Sequence, residues 1–153
     1  MYLWDHIRHR SGFAVHSPFM YGVVRKAMMP RKVVGTSREL YDALGATGAS
    51  RRTATRLQNY LTHLGYPAWS VDKSVEQGLV VATPKCSAEE VEALVAELSD
   101  GRGATLCLLH RRNKVRKALA KRLVAQHPSM SASKCDFTLL VYGRALPKQH
   151  IIL

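Results

Sequence analysis

The stretch Gly78–His110, GLVVATPKCSAEEVEALVAELSDGRGATLCLLH, reads as strand, helix, strand. Leu79, Val80, Val81 and Ala82 form a short apolar run between Gly78 and Pro84, the pattern of a strand buried on both faces. Ser87 and Glu90 then spell a capping box, in which the serine hydroxyl accepts from the Glu90 amide and the Glu90 carboxylate reaches back to the Ser87 amide. A helix therefore starts at this point. Val91, Leu94, Val95 and Leu98 recur at spacings of three and four, giving one apolar stripe, and Asp100-Gly101 supplies a stop. Ala104–Leu109, ATLCLL, is a second apolar strand. Two such strands joined by a helix of this length predict parallel pairing through a right-handed crossover, and so an α/β domain.

A chain of 153 residues fits one domain with a real core. Cys86, Cys107 and Cys135 are odd in number and widely spaced, which predicts reduced thiols, and with them a cytoplasmic setting, rather than a disulfide framework or a zinc site. The sequence shows no apolar leader and no run long enough to cross a bilayer, so neither secretion nor a membrane partner is expected. The net charge of +12 predicts an acidic partner, nucleic acid or an acidic protein face. Its distribution is uneven. Glu89, Glu90, Glu92, Glu97 and Asp100 sit on or beside the first crossover helix, while Arg111, Arg112, Lys114, Arg116, Lys117, Lys121 and Arg122 sit in the next one without an acid among them.

Outward from the central unit, Met1–Arg10 has the pattern of a short amphipathic helix, and Ser17-Pro18 opens another that runs to about Met29 and ends at Pro30. Ser37–Leu44 predicts a short helix capped by Ser37, Gly45–Ser50 a loop, and Ser50–Leu64 a longer helix closed by Gly65. Pro67–Val71 predicts a short strand. After the second central strand, a helix from about Asn113 to Gln126 places Val115, Leu119 and Leu123 on its buried line and Lys114, Lys117 and Lys121 on a basic one. His127–Lys134 reads as a loop. Asp136–Tyr142 and Gln149–Leu153 read as strands whose six-residue link, GRALPK, predicts an antiparallel hairpin between them.

His16-Ser17-Pro18-Phe19-Met20-Tyr21, preceded by Arg8-His9-Arg10-Ser11-Gly12, resembles the amino-terminal signature of bacterial class I S-adenosylmethionine-dependent methyltransferases with an HSPF motif. Asp136–Leu153 is similar to the closing hairpin of the same group, and the strand-helix-strand-helix-hairpin order over Gly78–Leu153 is similar to the carboxyl-terminal half of its sheet. The resemblance implies a Rossmann-like fold and, in a working enzyme, bound S-adenosylmethionine. Such enzymes seat the cofactor on a glycine-rich loop after the first strand and hold its ribose with an acid ending the second. Here the corresponding region, YLTHLGYPAWSVDKSVEQGL, holds no glycine-rich loop, and Asp72 is the one acid placed for a cofactor role. Gly45-Ala46-Thr47-Gly48 is a small-residue loop, but it precedes a helix rather than following a strand.

The sequence thus predicts a reduced Rossmann-like three-layer sandwich: a mainly parallel sheet of four or five strands over residues 50–153, ending in an antiparallel hairpin, with a helical extension over residues 1–49. The expected function is that of a degenerate, non-catalytic methyltransferase-like protein acting by binding, with no cofactor. The alternatives are an active methyltransferase with a shrunken site, and a basic nucleic-acid-binding module using Arg111, Arg112, Lys114, Lys117 and Lys121. His16, Ser17, Pro18 and Phe19 are expected to act structurally. His6, His9 and His16 lack a completing acid or cysteine, so no metal site is expected. Cys86 stands just before a helix, where a thiol can be acidified, and His110 and Asp136 lie at strand ends that can face a crevice. Loss of two strands relative to the methyltransferases would leave an open sheet edge, through which a homodimer can form.

Overall fold

The computed structural model describes residues 17–101 and 103–153. These group into two compact units, one running up to Gly65 and including Ile152–Leu153, the other Tyr66–Ile151. The expected Met1–Arg10 helix and the residues His6, His9 and His16 lie outside the described residues.

The helical unit begins at α1 (Pro18–Val23), capped by the Ser17 hydroxyl, which accepts from the Met20 amide. The helix continues as a wider π-helical turn over Val24–Met28, and Pro30 prevents further propagation. α2 (Glu39–Ala46) has Arg38 as its N-cap, one residue beyond the expected Ser37. α3 (Arg51–Leu64) is capped by Ser50, whose hydroxyl accepts from Thr53 N–H, and ends at the expected Gly65, whose left-handed φ of 65° suits glycine. Asn59 and Gln58, both buried on α3, bind backbone groups of the linker and of α2: the Asn59 amide donates to Lys32 O and accepts from Val34 N–H, and Gln58 accepts from Tyr41 N–H. Arg52 adds donations to Pro30 O and Met28 O. Polar side chains of one helix thus fix a segment with no regular structure of its own.

The second unit is the α/β domain. Its sheet has six strands, β1 (Ala68–Val71), β2 (Gly78–Ala82), β3 (Ala104–Leu109), β4 (Met130–Ser133), β5 (Phe137–Tyr142) and β6 (Gln149–Ile152), in the order β1-β2-β3-β5-β4-β6. β1 and β2 pair in parallel, as do β2 and β3, while β5 runs antiparallel to both β3 and β4. Helix α4 (Ala88–Ser99) makes the β2–β3 crossover with both halves of its capping box formed, and α5 (Lys114–Gln126), capped by Asn113, links β3 to β4. Val91, Leu94 and Leu98 of α4 and Leu119, Ala120 and Leu123 of α5 pack with Val80, Leu106, Leu108 and Leu140 in one apolar cluster. Each such side chain withdrawn from water stabilises by about 1.5–3 kcal/mol. Leu79, Val81, Cys107, Leu139 and Val141 alternate with these and are buried too, so the central strands are apolar on both faces.

Three details depart from the sequence expectation. Among the described residues the sheet has six strands, because Met130–Ser133, expected as a loop from its serines and Pro128, forms β4. The antiparallel hairpin is β4–β5, not a pairing of Phe137–Tyr142 with Gln149–Ile152, since β4 lies between those two strands. On α5 the buried line runs Arg116, Leu119, Ala120, Leu123, and Val115 is 78% exposed.

The β1–β2 link, residues 72–77, is short for a parallel connection. It suffices because β1 has only four residues: a return of about 13 Å lies within the reach of about 20 Å that six extended residues have. β1 forms one edge of the sheet, with all four residues half-buried, and is the edge on which the homodimer expectation rests.

Candidate functional site

In open α/β sheets ligands bind beyond the carboxyl ends of the parallel strands. That crest is formed here by Asp72 after β1, Thr83 after β2 and His110 after β3. Asp72 adopts a φ of 61°, a left-handed conformation that aspartate tolerates better than most residues. The turn aims its carboxylate back at the neighbouring strand, where it accepts from Thr83 N–H and Thr83 Oγ1 at 2.7 Å each. The one acid expected to hold a ribose is therefore bonded to the protein itself.

Beside it lies Arg116, buried although charged. Its guanidinium donates to Thr83 O at 2.7 Å, Ala82 O at 3.2 Å, Cys86 O at 2.5 Å and Leu109 O at 3.4 Å. These carbonyls belong to the ends of β2 and β3 and to the loop leading into α4, so one side chain closes the space between two strand tips. Burial lowers the Arg116 pKa, against the opposing influence of Cys86 and Asp72. The planar fork suits this role, because it offers five donors in fixed directions. Sequence reasoning counted Arg116 only as one of a run of cations. The available signal was its phase: Arg116, Leu119, Ala120 and Leu123 follow the same three-and-four spacing as the competing line through Val115.

Cys86 is buried at the same crest, and its thiol is pushed up, first by burial and then by Asp72 and Glu90, with Arg116 pulling the other way. A cysteine before a helix is acidified only where the local field is positive, and here two carboxylates face it. Cys107, inside β3, is raised by burial alone. Gly45 and Ala46, expected in a loop, instead close α2, and Thr47-Gly48 form the turn after it, where Thr47 Oγ1 donates to Leu44 O. Among the described residues no group of three or more His, Cys, Asp or Glu side chains is placed to hold a metal ion. Likewise, no helix is long and apolar enough to cross a membrane.

The basic residues divide. Arg111 approaches Asp136 at 3.9 Å, and Arg122 binds Glu92 across the two helices at 2.6 Å, both pairs at the surface, where such contacts contribute at most about 1 kcal/mol. Arg112, Lys114, Lys117 and Lys121 are exposed and make no ion pair among the described residues. Lys114, Lys117 and Lys121 share one face of α5, with exposed Val115 beside them.

His110 is also buried. Its Nε2 meets Thr138 Oγ1 at 2.9 Å, and its Nδ1 has no partner among the described residues. His127 places Nε2 against Val141 O at 2.8 Å and Met130 O at 3.1 Å; carbonyls only accept, so Nε2 carries the proton and Nδ1 is a bare acceptor. Burial lowers the pKa of His110, His127 and His150 alike from the usual 6.5. A histidine held neutral in the fold binds fewer protons there than when unfolded, so its contribution is complete above pH 6.5 and is lost as pH falls through the folded value. Urea midpoints are expected to drop as pH falls below the ordinary histidine value of 6.5, and His127→Gln, which keeps a donor for the carbonyls but does not titrate, will flatten that drop. An unchanged slope in the variant would remove His127 from the account.

Comparison with family models, with curated proteins and with solved structures found no match to this chain. The site's chemistry is therefore argued from its own residues. Asp72 can be tested directly. Asp72→Ala leaves the Thr83 amide and hydroxyl without their acceptor and will cost about 2–3 kcal/mol, whereas Asp72→Asn, which tolerates the same backbone and can still bond both groups, will cost less than about 1 kcal/mol. Equal losses in the two variants, read from chemical unfolding, would mean that the charge rather than the bonding geometry holds the crest together.

Proposed function

We propose that this chain is a degenerate, non-catalytic methyltransferase-like protein that acts by binding a polyanion, with nucleic acid as the partner, on the exposed face of α5. One observation carries the first half: the crest where a dinucleotide-type ligand would sit is bonded to itself, Asp72 to Thr83 and Arg116 to four carbonyls. A cofactor binding there would have to displace charged bonds that are among the stronger ones a protein makes. The second half rests on charge. Lys114, Lys117 and Lys121, joined by Arg112 and Arg111, form a one-sided cationic surface, and the net charge of +12 adds long-range attraction.

The two halves are tested separately. Calorimetric titration with S-adenosylmethionine is expected to give no binding heat; a saturable signal would instead favour an active enzyme with a shrunken site. A gel shift with a random oligonucleotide is expected to be salt-sensitive. Converting Lys114, Lys117 and Lys121 to glutamine should weaken it uniformly across sequences and make the slope of log K against log salt shallower by about 2–3, near 0.9 for each lost phosphate contact. Binding that ignores the triple substitution would place the interface elsewhere.

A further inference from the structure

On the face of the sheet that carries α4 and α5, polar side chains from four strands form an unbroken hydrogen-bonded chain. His110 Nε2, at the tip of β3, meets Thr138 Oγ1 of β5 at 2.9 Å. Thr138 Oγ1 meets Ser133 Oγ of β4 at 3.1 Å, and Ser133 Oγ meets His150 Nε2 of β6 at 3.0 Å. The far ring nitrogen, His150 Nδ1, meets Ser131 Oγ at 2.7 Å. The pairing register explains why they meet: Ser133 stands opposite Thr138, which stands opposite Leu108, so all point to one face. His110 is buried and His150 is exposed, so the chain runs from a water-accessible edge to the crest.

Each hydroxyl in such a chain gives one proton and accepts another, so the whole chain has a direction. With His150 neutral, the favoured direction starts at His110: Nε2–H donates to Thr138, Thr138 to Ser133, Ser133 to His150 Nε2, and His150 Nδ1–H to Ser131. This leaves His110 Nδ1 as a buried bare acceptor. The reverse direction would leave it a buried bare N–H, which folded proteins avoid more strongly. A protonated His150 donates from both nitrogens; a serine hydroxyl can accept two bonds, but the arrangement in which every donor of the chain is used has Ser133 donate to Thr138, and Thr138 to His110 Nε2. His110, if still neutral, must then carry its own proton on Nδ1.

We infer that His110, Thr138, Ser133 and His150 form a proton-sensing wire, in which protonation of His150 at the sheet edge switches the tautomer of His110 at the crest from Nε2–H to Nδ1–H. The balance is one proton taken from water onto the His150 ring while the hydroxyl protons turn; His110 gives its Nε2 proton to water and takes one from water at Nδ1 when the crest opens, so its charge stays zero. The charges facing His110 help keep it neutral. Lys117 and Arg116 of α5 oppose a second proton there, while Asp136 in the turn before β5 and the residue's own carbonyl favour one more weakly than burial and Lys117 oppose it. His150 is exposed as a residue, yet its ring, held between Ser131 and Ser133, loses enough water that desolvation lowers its pKa. Since Lys117 belongs to the basic face of α5, the switch moves a polar hydrogen near the surface proposed to bind nucleic acid, although the wire stands whether or not that reading does.

The test is ring-nitrogen NMR on the histidine-labelled full chain, which reports which nitrogen carries hydrogen. At about pH 8 His110 is expected as Nε2–H, and at a pH below the His150 titration as Nδ1–H, with the changeover tracking His150. In Ser133→Ala the chain is cut, and His110 is expected to stay Nε2–H while His150 still titrates; Ser133→Thr, which restores a hydroxyl, should restore the switch. An unchanging tautomer in the parent chain, a switch that survives Ser133→Ala, or double protonation of His110 as His150 titrates would each overturn the wire.

Discussion

Replacing Arg116 with methionine is expected to lower the stability of the α/β unit by at least about 3 kcal/mol, because bonds from a charged donor contribute roughly 1.5–3 kcal/mol each and their carbonyl acceptors would be left without it. Methionine is chosen because it keeps much of the aliphatic stem. The measurement is urea unfolding, with hydrogen exchange of the β2 and β3 amides to localise the loss. Arg116→Lys makes the argument sharper. A lysine keeps the charge but cannot address Ala82, Thr83, Cys86 and Leu109 from one planar fork, so it should recover less than half of the loss. Burying a charge is costly, and an apolar replacement of buried ionic groups is neutral or stabilising in some proteins. If Arg116→Met is as stable as the parent, desolvation cancels the bonding, and the self-closed crest on which the proposed loss of catalysis rests would lose its energetic basis.

The second large effect is expected at Gly78. A Cβ added there would stand 2.0 Å from Ala68 O, a backbone atom in the edge strand to which β2 is paired, and the φ of 157° is one that side chains rarely adopt. Backbone cannot rotate away as a flexible side chain can, so β1 must part from β2. Gly78→Ala is expected to cost more than about 4 kcal/mol, in the range reserved for a specific steric failure. The signature would be local: amides of Ala68–Val71 lose protection first, and Asp72, displaced with the strand, releases Thr83. A variant that loses stability evenly across the sheet, or not at all, would show that β1 is not held in the register described.

These effects show where sequence reading succeeds. The central unit was legible because its signals are local: a four-residue capping box, an apolar stripe at helical spacing and two strands without polar interruption each depend on neighbours in the chain. The same holds for the Ser17 cap and for the Gly65 stop. The parts that were missed depend on non-local bonding. Met130–Ser133 has a polar, loop-like composition, yet Ser131 and Ser133 find partners in His150 and Thr138, so the strand is stabilised by side chains remote in sequence. With β4 inserted, the last two strands could not be adjacent, and the short-link argument for their hairpin failed even though each strand was correctly placed.

The candidate site was legible only as a list of residues. Asp72 was singled out as the acid at the right place, and it does stand at the crest, but its partner is Thr83. The lysines of α5 were singled out correctly as an exposed line. Arg116 was hidden among them because a charge in a basic run is read as solvated, and nothing adjacent to it in sequence shows that four backbone carbonyls converge on it.

The amino-acid order by itself determined the alternation of strands and helices, the ends of most helices and the separation of acidic α4 from basic α5, since these follow from periodicity, capping chemistry and charge within a few residues. Only the tertiary structure decided the strand order, the direction in which Arg116 points and the joining of His110 to His150, because each depends on which distant backbone and hydroxyl groups arrive at the same place once the sheet has formed.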